Sequence, residues 1–159
     1  MCIRDSIQRA AKADAAGIAM RHAHYEQLAA VLPMLQKAGV TILAGTDAGF
    51  LNSFNYPGIG LHEELALYVD KGLTPAQALA SATRSGPAWF GTLDRYGAIS
   101  PGKMADIVVL ERNPLEDIRA TRDIQAVVLR GRLYDRAALD QLLADTRAKV
   151  AAWNAVGTR

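Results

Sequence analysis

The spacing of apolar positions in the first half of the chain predicts an alternation of helix and strand. Between residues 24 and 38 apolar side chains recur at helical spacing, and Gly39 then ends the predicted helix. Residues 40–44 form an unbroken uncharged run that Gly45 closes, which is typical of a strand buried on both faces in a parallel sheet. A helix that leads directly into a buried strand is one step of an α/β fold.

Two further helices are predicted downstream of this strand. Residues 61–71 favour a helix, and Gly72 follows its end. Thr74 and Gln77 have the spacing of a capping box, so a second helix is predicted from Pro75 to about residue 85. The loop between the strand and these helices is rich in amide and aromatic side chains, and long loops of this kind are often functional.

The pattern changes after Gly97 to short runs of β-branched and apolar residues. Residues 107–110 and 126–129 are predicted strands of a small β module, and residues 137–153 favour a closing helix. The predicted units are residues 1–96, an α/β part; residues 97–136, the β module; and residues 137–159, the closing helix.

Composition and charge exclude several classes of protein. Half of the 159 residues are hydrophobic, and the formal net charge is only +2. This balance gives no electrostatic reason to expect nucleic acid or an anionic membrane as a partner. The single cysteine, Cys2, excludes an internal disulfide framework. Residues 1–6 are either a short leader or non-native sequence that resembles translated adapter; in the second case the compartment is unknown, with the cytoplasm as default.

Asp47 is the main candidate for chemistry, because it follows the predicted buried strand. It stands in the segment Gly45-Thr46-Asp47-Ala48-Gly49. One interpretation is a loop aspartate that caps the next turn. The other is a carboxylate at the mouth of an α/β barrel, where it could bind a divalent metal or accept a proton from a water molecule.

The order of motifs resembles the carboxyl-terminal end of the metal-dependent amidohydrolase superfamily, in its imidazolonepropionase-like and Xaa-Pro dipeptidase-like branch. The segments that carry the resemblance are 40–49, 61–65, 72–79, 82–83, 97–108, 113–118 and 131–134. The resemblance implies an α/β fold in which the chain is a fragment of a (β/α)8 barrel, its last strand and helices, with part of the accessory β-sandwich. The resemblance also implies a bound divalent metal, which is expected to be zinc. The other ligands of this metal would lie in a part of the protein that precedes this chain. Asp47 would be both metal-linked and the general base.

Four residues after the predicted strand are candidates for substrate binding. They are Asn52, Asn55, Tyr56 and His62. For His62 the alternative is an ordinary histidine in the first turn of a helix. Glu63 and Glu64 are interpreted as solvent-facing residues whose negative charges interact favourably with the helix dipole. Other residues are interpreted as structural. His22 and His24 are expected on the surface, and Lys103 and Asp106 in turns of the β module. Core packing is expected for Trp89, Phe90 and Trp153.

The sequence therefore predicts part of a metal-dependent hydrolase of C–N bonds in amides, cyclic amides or dipeptides. The expected partner is a small amide or peptide substrate, with a homo-oligomer possible for the whole enzyme. The isolated fragment is expected to be inactive. Two alternatives stay open: a deaminase of the same superfamily, and a non-catalytic domain that uses the fold for binding or assembly.

Overall fold

The computed structural model describes residues 14–48 and 55–156, so residues 1–6 lie outside it. The helices are α1 (Ala15–Ala29), α2 (Val31–Lys37), α3 (Ile59–Asp70), α4 (Pro75–Thr83), α5 (Ser85–Trp89) and α6 (Arg136–Val156). The strands are β1 (Ile107–Leu110), β2 (Ile124–Leu129) and β3 (Arg132–Tyr134). A 3₁₀ helix, Ile118–Arg122, lies between β1 and β2.

The start of α4 follows the signal in the sequence. The Thr74 hydroxyl accepts from the backbone N–H of Gln77 at 3.2 Å, and the Gln77 side chain accepts from the backbone N–H of Thr74 at 2.8 Å. Pro75 occupies the first helical position, where its missing N–H costs nothing. The predicted capping box is confirmed.

A small core joins the helices to the β module. Leu65 of α3, Ala78 of α4 and Ile118 of the 3₁₀ helix are each at most 3% exposed and pack together. Burying apolar side chains of this size contributes about 1.5–3 kcal/mol each for leucine or isoleucine. The 3₁₀ helix is therefore the element through which the module rests on α3.

The β module is a three-stranded antiparallel sheet in the order β1-β2-β3. Its two predicted strands are confirmed, with β2 beginning two residues earlier than expected. Arg130 adopts a left-handed φ of 51° in the turn to β3, and the Asp106 carboxylate accepts from its backbone N–H at 2.7 Å. The Lys103 ammonium donates to the carbonyls of Leu93 and Tyr96. Asp106 and Lys103 thus have the structural roles that the sequence indicated.

The segment 40–48 forms no strand, which corrects the prediction for residues 40–44. A strand needs a ladder of hydrogen bonds to a neighbouring strand, and the sheet of the described residues lies elsewhere, between 107 and 134. The Ala44 N–H donates instead to the Ser81 carbonyl at 3.1 Å. Val40 and Leu43 are 45% and 38% exposed, so they are not buried on two faces.

Many large apolar side chains in the described ranges are exposed. Trp89, Phe90 and Trp153 are 70%, 74% and 80% exposed, so the prediction that they pack in a core is wrong. Their positions on α5, directly after it and on α6 place them away from the cluster of Leu65, Ala78 and Ile118. None of the helices in the described ranges has the length and apolar character needed to cross a bilayer.

Candidate functional site

Asp47 stands near the end of the apolar segment in an unusual backbone conformation. Its φ of 48° lies in the left-handed region, and the residue is exposed. This region costs an ordinary L-residue about 1–2 kcal/mol, although aspartate visits it more readily than most. The contacts of the residues before it must therefore hold the chain in place.

Glu64 and Tyr68 of α3 make two of those contacts. The Glu64 carboxylate accepts, through Oε1, from the Gly45 N–H at 2.9 Å and from the Tyr68 hydroxyl at 2.5 Å. The Tyr68 oxygen also lies 3.5 Å from the Leu43 carbonyl oxygen. Burial first, and the contact with Glu64 second, raise the pKa of the Tyr68 hydroxyl well above its usual value, so it stays a donor.

This arrangement corrects the interpretation of Glu64 as a solvent residue near the helix dipole. α3 begins at Ile59, so Glu64 lies beyond its first turn. Its spacing of four from Tyr68 puts both side chains on one helix face. This spacing is the signal in the sequence that groups Glu64 with Tyr68, but it does not indicate which part of the protein packs against that helix face. Glu63 does face solvent, where it pairs with Arg122 at 3.3 Å.

Asn55 is the predicted substrate residue that lies next to Asp47. Its side-chain amide donates to the Thr46 carbonyl, and its Oδ1 fills the space where a Cβ on Gly60 would stand. A side chain at position 60 would therefore displace the Asn55 amide from this place. Tyr56 is 61% exposed. Asn52 lies outside the described residues.

His62 faces the β module. Its Nδ1 lies 3.0 Å from the Thr121 Oγ1, and the Thr121 hydroxyl donates to the Ile118 carbonyl at 2.9 Å. With the single hydroxyl hydrogen of Thr121 directed to Ile118, His62 donates here through Nδ1, and Nε2 is then an acceptor in the neutral ring. Burial, together with the positive charge of Arg122, lowers the pKa of His62 and favours this neutral form.

His62 also lines a cavity of about 630 Å³ between the helices and the sheet. Its walls include Leu65 of α3, Leu79 of α4 and Ile107 of β1. Asp47 does not line this cavity. Asn55 lies beside the Asp47 segment through its contact with Thr46, whereas His62 belongs to the contact between α3 and the 3₁₀ helix.

Metal ligands are sparse in the parts of the chain that the structure describes. Within 14–48 and 55–156, no three His, Cys, Asp or Glu side chains converge closely enough to hold a metal ion. His22 and His24 are exposed on α1, as the sequence indicated. Asp47 is therefore not part of a three-ligand cluster among the described residues.

Comparison with known proteins decides the family. Residues 5–134 match the sequence profile of the Amidohydrolase family. The chain belongs to the amidohydrolase family. Members of this family are generally metal-dependent.

Individual amidohydrolases show how much of such a protein the chain covers. The chain is 39% identical over 93 residues to ochratoxinase of Aspergillus niger, across 57% of this chain and 18% of that protein. It superposes on a Xaa-Pro dipeptidase with methionine bound in the active site with a TM-score of 0.59 and 30% identity, over 69% of this chain and 26% of that one. For molinate hydrolase the TM-score is 0.58 and the identity 31%, over 65% and 25%. The chain therefore spans less than a third of each of these relatives.

Proposed function

We propose that the chain is the carboxyl-terminal part of an amidohydrolase that cleaves C–N bonds in small amides, cyclic amides or dipeptides. In this proposal Asp47 is the general base of the reaction. In this proposal the described residues belong to the carboxyl-terminal end of a (β/α)8 barrel, whose other strands the rest of the protein supplies. The name of the Xaa-Pro dipeptidase supports the dipeptide part of this substrate class.

One observation carries the role of Asp47. Its carboxylate is exposed, while the backbone two residues before it is fixed to α3 through the hydrogen bond between Gly45 and Glu64. A proton acceptor must be accessible to water and substrate, and it must be held in one place. The exposed Asp47 carboxylate and the anchored backbone at Gly45 support this role, inside the stretch that matches the family.

The chemistry asked of Asp47 is a proton transfer. A water molecule attacks the carbonyl carbon of the substrate and gives a proton to the Asp47 carboxylate. The carboxylic acid then passes this proton to the leaving nitrogen as the C–N bond breaks, which regenerates the carboxylate. Proton transfer by a positioned side chain contributes about 10²–10⁴-fold to a rate.

A catalytic zinc ordinarily has three protein ligands. The described residues do not fit a complete site of this kind, since no three candidate ligands converge among them. Asp47 could supply one oxygen ligand, and the others would have to come from residues outside the described ranges. The proton transfer above therefore uses only the carboxylate and water.

The test is Asp47→Asn in the full-length gene product that carries these residues. Turnover is measured on the compounds after which the relatives are named: an Xaa-Pro dipeptide, molinate and ochratoxin. We expect kcat to fall by about 10²-fold or more, because asparagine keeps the shape but cannot accept the proton. Asp145→Asn is the matched control, since Asp145 is exposed on α6, where its carboxylate accepts from the Gln141 side-chain amide at 2.8 Å. Near-normal turnover of Asp47→Asn would exclude the assignment.

A further inference from the structure

We propose that Glu64, supported by Tyr68, is a positioning residue that fixes the backbone before Asp47 and thereby the place of its carboxylate. This inference rests on the proposed function of Asp47. It adds a residue that sequence patterns had assigned to solvent.

The Glu64 carboxylate contacts the backbone of the segment that carries Asp47. Glu64 Oε1 accepts from Gly45, two residues before Asp47, and from Tyr68, one helical turn further along α3. The segment has no strand partner among the described residues, so this carboxylate takes the place that a ladder hydrogen bond would have. Hydrogen bonds to a charged acceptor are about twice as strong as neutral ones.

Stability alone does not account for a carboxylate at this position. Glu64 Oε2 is buried and has no hydrogen-bond partner among the described residues, and an unpaired buried oxygen destabilises a fold. This cost offsets part of what the two hydrogen bonds of Oε1 contribute. The distinctive effect of Glu64 is therefore that it fixes the position of the Gly45 backbone.

Rigid placement matters because the distance between reacting atoms controls the rate. A displacement of about 1 Å can cost about 10²-fold in rate, even when it arises away from the reacting atoms. A loop with a left-handed Asp47 has alternatives of lower backbone energy, and Glu64 prevents the chain from relaxing into them.

The test compares four variants of the active full-length enzyme. Glu64→Leu removes the acceptor, Glu64→Gln keeps an acceptor oxygen without the charge, and Tyr68→Phe removes the supporting donor. Glu63→Leu is the control, because Glu63 is the exposed neighbour on the same helix. Steady-state kinetics give kcat and KM separately, and amide hydrogen exchange at Gly45 reports on the segment without any need for activity.

We expect Glu64→Leu to lower kcat by about tenfold to a hundredfold with little change in KM, since the base moves while the substrate contacts stay. The Gly45 amide should exchange about tenfold to a hundredfold faster. Glu64→Gln should keep most of kcat, Tyr68→Phe should fall between the two, and Glu63→Leu should match the wild type. If Glu64→Leu does not fold, Tyr68→Phe, which keeps the ring, carries both measurements.

Two results would overturn the positioning role. One is wild-type kcat and wild-type Gly45 exchange in Glu64→Leu and Tyr68→Phe. The other is a Glu64→Gln variant whose kcat falls as far as that of Glu64→Leu while Gly45 exchange stays at the wild-type rate, which would assign the effect to the charge of Glu64 and not to the placement of the backbone. Normal turnover of Asp47→Asn would instead overturn the proposed function, so the two failures are separate.

Discussion

The hydrogen bond between His62 and Thr121 offers a quantitative test of how the helices and the β module fit together. Thr121 is 5% exposed, and its hydroxyl both accepts from His62 and donates to the Ile118 carbonyl. Thr121→Val keeps the shape and removes both hydrogen bonds. His62→Phe keeps an aromatic ring and removes only the first.

The expected loss of stability follows from the number of hydrogen bonds that each substitution removes. Each net hydrogen bond contributes about 0.5–1.5 kcal/mol, so Thr121→Val should cost about 1–3 kcal/mol and His62→Phe about 0.5–1.5 kcal/mol. Because the two substitutions remove one shared bond, the double variant should cost about the same as Thr121→Val alone. The coupling free energy should therefore be about 0.5–1.5 kcal/mol.

Native-state hydrogen exchange of α3 and the 3₁₀ helix measures these local opening free energies within the full-length protein. Costs that add to within about 0.3 kcal/mol would refute the shared bond. Kinetics separate this role from substrate binding. If His62 also contacts substrate, His62→Phe raises KM and Thr121→Val does not.

The pH dependence has a definite sign. Folding lowers the pKa of His62 from an ordinary 6.5, so the unfolded state takes up the proton first. The contribution of His62 to stability is complete above about pH 6.5 and is lost progressively as the pH falls towards the lowered value. After correction for intrinsic exchange rates, the wild type should lose more protection than His62→Phe between about pH 8 and about pH 5.5. An equal loss in both proteins would contradict the burial of a neutral imidazole.

Two further predictions concern the loop and the isolated chain. Single alanine substitutions of Asn52, Asn55 and Tyr56 should change KM or substrate preference more than Tm, because loops after barrel strands build the site. Steady-state kinetics and thermal melting of each variant check this. Destabilised variants with unchanged kinetics would show that the loop has a structural role. The 159 residues expressed alone should hydrolyse nothing, bind zinc weakly and self-associate, because Trp89, Phe90 and Trp153 expose large apolar surfaces; a soluble monomer with one tightly bound zinc, found by size exclusion and metal analysis, would contradict this.

Local signals in the sequence determined several elements. The Thr74 capping box, the β-rich run at Ile107–Leu110 and the closing helix Arg136–Val156 agree with the predictions, apart from small shifts at their ends. Each depends on contacts within a few residues or on a strong local preference. The motif order also predicted the amidohydrolase family, which the profile match confirmed.

Other features depend on what each segment meets in space. The run at 40–44 has the composition of a buried strand, yet it has no ladder in the described structure, because pairing needs a neighbouring strand. Trp153 has a side chain suited to a core, yet it is 80% exposed, because burial needs a surface to pack against. Composition states what a residue can do, and its neighbours decide whether it does so.

The contacts of the candidate site show the same division. Sequence position alone pointed to Asp47, since it follows an apolar run and a glycine. The tertiary structure alone brought Glu64 to Gly45, 19 residues away, and His62 to Thr121, 59 residues away. Helical spacing fixes which residues share a face of α3, but only the packing of that face against the loop and the 3₁₀ helix decides which backbone groups those side chains hold.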